Sequence, residues 1–147
     1  MTANEPGYRA PDLNLVGAEH IKRYLETDGE VGYRWNGVPT LLLTTTGRRT
    51  GQPRTSALIY GRDGDDYLVI ASKGGAPHHP QWYQNLTARP AAEIQVRAEK
   101  LAVTARTASA GERPRLWTIM AGVWPNYDTY QTRTTRRIPV VELVPTG

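Results

Sequence analysis

Between Thr40 and Ser72 three strand-like runs follow one another with little chain between them, and this spacing constrains the fold more than any other feature. Thr40–Thr46 (TLLLTTT) is rich in leucine and threonine and stops at Gly47. A polar turn over 47–53 (GRRTGQP) leads into Arg54–Arg62 (RTSALIYGR), and the hairpin signal Asp63-Gly64 leads into Tyr67–Ser72 (YLVIAS). Parallel neighbours need a crossover of a dozen or more residues, so these runs must pair antiparallel. Two more runs, 92–97 and 101–107, alternate around the charged turn 98–100. Ile138–Val144 forms a last strand, with Pro139 at its start or on an edge.

The spacing predicts helices in the remaining segments. Leu13, Val16, Ile21, Tyr24 and Leu25 fit one helical face over 13–25, with Asp12 as N-cap. A short helix follows Pro80, with Trp82 and Leu86 on one side, and ends at Pro90. Ser109 and Glu112 are spaced as a capping box before a stripe of Leu116, Ile119, Met120 and Val123, and 126–131 reads as a helical turn. Residues 1–11, with Pro6, Gly7 and Pro11, read as a flexible tail, and 12–147 as a single domain. The result is an α+β chain: a small antiparallel barrel of about six strands with three or four helices outside it, without the βαβ rhythm of a dinucleotide-binding domain.

Composition removes whole classes of function. The 147 residues include no cysteine, which excludes disulfides, thiol nucleophiles, iron–sulfur clusters and thiolate zinc sites, and three histidines leave little for a metal centre. No stretch approaches the roughly 20 apolar residues of a membrane span. The N-terminus lacks an apolar signal core, so a cytoplasmic location is expected. No P-loop ending, GxGxxG after a strand, HExxH or nucleophile elbow occurs, and no carboxylate pair sits in an apolar setting. An enzyme of this sequence would therefore rely on a bound cofactor.

Two segments look shaped for such a ligand. GRRTGQPRTS (47–56) sets Arg48, Arg49 and Arg54 around a Gly/Pro turn, with Thr50, Thr55 and Ser56 adding hydroxyls; clustered guanidinium groups favour an anion. IASKGGAP (70–77) runs from a strand into Lys73 and two glycines, where a ligand can approach the backbone closely. The net charge of +4 at pH 7, with 15 arginines among 18 bases, also favours an anionic partner. Trp117, Trp124, Tyr127 and Tyr130 form an aromatic cluster; the two tyrosines, at i and i+3, are placed to line one wall of a cleft.

Three motifs in register, TTTGRRTGQPR, ASKGGAPHHPQWYQNLTARP and YDTYQTRTTRRIPVVEL, resemble the deazaflavin-dependent nitroreductase family of actinobacteria. The resemblance spans about Thr40 to Pro145. It implies a split β-barrel that binds coenzyme F420. It also implies that Arg48, Arg49, Thr50 and Arg54, with Thr55 and Ser56 beside them, hold the phosphate and acidic tail. Ile70, Ala71, Ser72 and Lys73 would run past the deazaflavin ring, Gln81, Trp82 and Asn85 would complete the groove, and Trp124, Tyr127, Tyr130 and Ser72 would border the substrate. Two positions depart from the family pattern: Arg49, where lysine is frequent, and Trp124, where tyrosine is common.

The expected activity is hydride transfer from F420H2 to an electron-poor small molecule (an enone or lactone, a quinone, or a nitroaromatic). Tyr127, Tyr130, Ser72 or water would supply the proton. Alternatives are an FMN-dependent split-barrel oxidoreductase and a non-catalytic F420 carrier. No metal and no nucleic acid are expected, because the aromatic residues lie outside any basic-aromatic strand pattern. The sequence leaves the oligomeric state open, and also a weak peripheral contact of helix 13–25 with the inner face of the membrane.

Overall fold

Strand β2 (Val38–Thr46) is the axis of the computed structural model, which describes residues 8–146. Helix α1 (Gly17–Thr27) and the two-residue strand β1 (Arg34–Trp35) precede it. After it come β3 (Pro53–Ile59), β4 (Gly61–Asp63), β5 (Asp66–Ile70), a 3-10 turn at Lys73–Gly75, α2 (Gln81–Ala88), β6 (Ala91–Val96), β7 (Glu99–Thr107), α3 (Arg113–Val123), α4 (Asn126–Thr132) and β8 (Val140–Pro145). The sheet runs β1-β2-β6-β7-β8-β5-β4, with β3 on the other side of β2, and its pairings are antiparallel. Only Tyr60 separates β3 from β4, so the chain joins the two ends of this path and the sheet curls into a split barrel.

The expected α+β barrel is present, with four helices and eight strands, rather than about six, among the described residues. β1 is too short to show a period. The run 54–62 is broken at Tyr60, whose N–H turns aside to the Pro39 carbonyl at 3.2 Å. The Asp63-Gly64 signal forms the tight β4–β5 hairpin, pairing Asp63 with Asp66. Ser109 does not cap α3, whose N-cap is Glu112; its hydroxyl accepts the Glu112 N–H at 3.3 Å in the turn before the helix. The reciprocal half of the box is absent: the Glu112 carboxylate pairs with Arg115 at 2.8 Å.

Alternation in the strands produces two cores. Leu41, Leu43, Val69, Val141 and Leu143 point into the barrel, with Ile94, Val103 and, from α2, Trp82 and Leu86. Leu68, Ile70 and Val140 point outward and are covered by Leu116, Met120 and Trp124 from the α3–α4 side. β5 and β8 are therefore buried on both faces, which explains their nearly continuous apolar runs.

The N-terminal segment differs most from expectation. The helix begins at Gly17, whose φ of +60° lies outside the helical region, and Asp12 does not cap it. Asp12 instead accepts the Asn14 N–H at 3.0 Å and exchanges hydrogen bonds with Asn36. The buried stripe is His20 and Tyr24, at i and i+4, while Leu13, Val16 and Leu25 are exposed. Of the expected tail, residues 1–7 lie outside the described residues. Arg9 is pinned by two 2.7 Å hydrogen bonds with Asn126, one in each direction.

Candidate functional site

The β2–β3 hairpin closes on itself through Gly47 N–H to Gln52 O and Gly51 N–H to Gly47 O, both 2.8 Å. Arg48 leans from it onto α2, donating to Asn85 Oδ1 at 2.9 Å and to Gln81 Oε1 at 2.8 Å, while Asn85 Nδ2 donates to Thr45 Oγ1 at 3.1 Å. Hairpin and helix together enclose a groove of about 400 Å³ lined by 47–50, 54–56, Gln81, Trp82 and Asn85. Arg49 and Arg54 are exposed and have no acidic partner among the described residues. Two cations without acidic partners among the described residues beside a polar hollow favour an anion there.

Thr55, Ser56 and Trp82 also line a second, larger cleft of about 610 Å³, so the two hollows are continuous. This cleft is mainly apolar. Its walls come from α1, from Trp35 and the outer part of β3, from Ile70, Ser72, Lys73 and Gly74, and from Trp124, Tyr127 and Tyr130. Trp35 stacks at a tilt on Trp124 (centroids 5.6 Å apart), and Tyr127 meets Tyr130 edge-on at 6.0 Å. Trp124 Nε1 donates to the Tyr130 hydroxyl at 3.4 Å. Burial, with a smaller contribution from Tyr130, pushes the Tyr127 phenol far above its ordinary value, so it stays neutral. The Ser72 hydroxyl and the Tyr127 phenol have no hydrogen-bond partner among the described residues, yet neither is sealed in the interior. Both open on the cleft.

Arg136 ties together the segment between β5 and α2. Arg136 donates to the carbonyls of Ala71 (3.1 Å), Ser72 (2.7 Å) and Ala76 (2.8 Å) and to His79 Nδ1 (3.0 Å). A guanidinium has no acceptor, so His79 Nδ1 accepts. Burial, then the Arg136 charge, holds the His79 imidazole below its ordinary value and keeps it neutral. Gly75 brings this loop against α4: at φ +86° a Cβ there would lie 2.6 Å from the Tyr130 carbonyl oxygen.

The expected site residues therefore fall on one continuous groove, with one exception. Arg48, Arg49, Thr50, Arg54, Gln81 and Asn85 line the basic part. Thr55, Ser56 and Trp82 form the waist, and Ile70, Ser72, Lys73, Trp124, Tyr127 and Tyr130 line the apolar part. Ala71 is fully buried in the barrel core, its N–H on the Pro139 carbonyl at 3.0 Å, and lies behind the wall. Trp117 packs at the edge of the outer core, donating to Asp128 at 2.7 Å. Sequence reasoning missed the α1 wall, with its His20, and it missed Arg136. The signal for the first was a histidine and a tyrosine at i, i+4; Arg136 gave none, because its partners are backbone carbonyls 60 or more residues away.

Fold and groove together describe a split β-barrel with a two-part cleft along one side. The chain belongs to the F420H(2)-dependent quinone reductase family, whose model matches residues 17–145. It is 48% identical over 128 residues to a Mycobacterium tuberculosis protein named F420H(2)-dependent quinone reductase Rv1261c, covering 84% of this chain and 86% of that one. Among solved structures it is similar to an F420-H2 dependent reductase, FDR-A (39% identity, TM-score 0.67, 71% of this chain and 93% of that one). A heme storage protein of Vibrio cholerae shares the fold at 15% identity and a TM-score of 0.53, covering 90% of this chain and 92% of that one.

Proposed function

We propose that this chain is an F420H2-dependent reductase that delivers hydride to a small electron-poor acceptor of the quinone type. The observation that carries the reading is the junction of two unlike hollows: an anion site with two uncompensated arginines runs through Thr55, Ser56 and Trp82 into an apolar, aromatic-walled cleft. This fits a cofactor with a flat ring at one end and an acidic tail at the other. In this reading Arg48, Arg49 and Arg54 hold the tail, with Thr50, Gln81 and Asn85 beside it. Thr55, Ser56 and Trp82 hold the linking chain, and Ile70, Ser72 and Lys73 flank the ring.

When bound, the reduced deazaflavin supplies the hydride. The protein supplies position and a dry setting. Trp124, Tyr127 and Tyr130 hold a planar acceptor against the ring. The Ser72 and Tyr127 hydroxyls present O–H donors that polarise an acceptor oxygen. A neutral, strongly buried phenol suits hydrogen bonding better than full proton donation. The reading places the protein in the cytoplasm, with the exposed Leu13, Val16 and Leu25 as its surface for peripheral contact with the membrane face; among the described residues no helix is long and apolar enough to cross a membrane.

Anaerobic mixing of F420H2, protein and menadione tests the reading. Protein-dependent return of the oxidised cofactor's fluorescence is the expected result. Cofactor binding with no turnover on menadione, an enone or a nitroaromatic would instead identify a carrier.

A further inference from the structure

We propose that His20 is a catalytic residue, the proton donor to the acceptor oxygen, working through its Nδ1 at the α1 wall of the cleft. The inference rests on the quinone-type reading above and adds a residue and a step to it.

His20 is 5% exposed and lines the apolar cleft. Its Nε2 lies 2.8 Å from the Gly32 carbonyl oxygen, which also accepts the Thr40 hydroxyl. A carbonyl only accepts, so Nε2 must carry hydrogen, and the tautomer is fixed. The Cδ2–Nε2 edge of the ring packs against Gly32, where a Cβ would lie 2.9 Å from His20 Cδ2. Nδ1 has no partner among the described residues and is not sealed off, and His20 lines the cleft, so Nδ1 is the ring nitrogen left for a ligand there.

The other ionisable groups in the cleft are Lys73, exposed at the 3-10 turn, and Tyr127 and Tyr130 from α4. β1, β2 and β3 contribute neutral side chains (Trp35, Thr40, Thr55 and Ser56 among them), and no carboxylate lines the cleft. On α1 itself Glu19, Lys22 and Arg23 are exposed, and Tyr24, which also packs on Gly32, is a phenol raised by burial. Among these groups an imidazole is the side chain built to give up a proton near neutral pH and take it back.

The step balances. Imidazolium Nδ1–H donates to a quinone oxygen while Nε2–H stays on Gly32. Two electrons and one hydrogen reach the quinone as hydride from the reduced cofactor. The Nδ1–H bond breaks, an O–H bond forms, and the neutral imidazole then accepts a hydrogen bond from that new hydroxyl. Solvent returns a proton to Nδ1, offset by the proton the oxidised cofactor releases.

The test needs no cofactor. 1-Naphthol mimics the reduced acceptor because it offers an O–H to Nδ1; 1-methoxynaphthalene does not. The full-length protein is expected to bind 1-naphthol about tenfold more tightly than the ether, and His20→Gln, whose amide can replace Nε2–H on Gly32, removes that preference. The 15N spectrum of the wild-type imidazoles, simple with three histidines, is expected to show hydrogen on His20 Nε2, held by the Gly32 carbonyl, and a shift of its Nδ1 on saturation with 1-naphthol. In turnover, His20→Gln is expected to lower kcat by about 100-fold with cofactor Kd unchanged. An Nδ1–H tautomer, no shift at saturation, or a preference that survives in His20→Gln would overturn the role of His20. Wild-type protein that fails to bind F420 would overturn the functional reading itself, a separate result.

Discussion

The basic end of the groove is drawn from one hairpin and the helix it touches, whereas the apolar end is assembled from α1, β1, β3, the 3-10 turn and α4. The basic end offers free charges on a rigid hairpin. Its energetics should be electrostatic, local and sensitive to salt. The apolar end is a packing arrangement, and its shape depends on latches such as Arg136 and Gly75 that never touch a ligand. In the proposed function one groove separates cofactor affinity from acceptor geometry, and changes at one end should leave the other largely intact.

The largest expected effect lies at the basic end. Arg49→Ala with Arg54→Ala removes two charge-assisted contacts, each worth roughly 1.5–3 kcal/mol, and should weaken F420 binding by about a hundredfold or more. Neither side chain is buried or paired, so Tm should hold. A fluorescence titration and a thermal melt check both halves. Equal loss of acceptor KM and cofactor Kd would break the division between the two ends.

Arg136→Met comes next. It strips donors from the carbonyls of Ala71, Ser72 and Ala76. The cost should be about 2–4 kcal/mol, lowering Tm by about 5–10 °C, with Lys recovering part of it. Gly75→Ala, at φ +86° and against Tyr130, should cost about 1–3 kcal/mol. Turnover kinetics should show it raising acceptor KM more than it alters cofactor Kd, which sharpens the contrast.

The smallest effect is in alkali. Burial raises the Tyr24, Tyr60 and Tyr127 phenols above their ordinary value, with the Tyr33 hydrogen bond adding at Tyr60. The unfolded chain ionises these groups near pH 10 while the folded one keeps them protonated, so their contribution is intact below about pH 10 and is lost as pH rises beyond it. Absorbance titration should show three of the eight tyrosines ionising only as the protein unfolds, and Tyr127→Phe should flatten the loss of stability.

The same contrast explains what the sequence disclosed. Arg48, Arg49 and Arg54 sit within seven residues, so their convergence was visible without a fold. Asp63-Gly64 and the short turns required an antiparallel sheet for the same local reason. Ser72 and Tyr127 lie 55 positions apart, and their shared cleft was legible through the family resemblance. α1 was misread because apolarity assigned its face: Leu25, placed on the buried side, is exposed, while His20, which the apolar pattern did not include, is buried. Polar residues that are buried because a distant carbonyl receives them, as Gly32 receives His20, leave no periodic trace. Arg136 escaped in the same way, and so did β1 and the break at Tyr60, which only pairing partners define.

The central claim is that the two ends act together on one cofactor with a flat ring and an acidic tail. Parallel titrations of wild-type protein and Arg49→Ala/Arg54→Ala with F420 and with FMN, at low and high salt, test it most directly. The expected result is F420 bound at least tenfold more tightly than FMN in the wild type, with that advantage shrinking as salt rises and absent from the double variant. FMN bound as tightly as F420, or an F420 preference indifferent to salt and to both arginines, would contradict it.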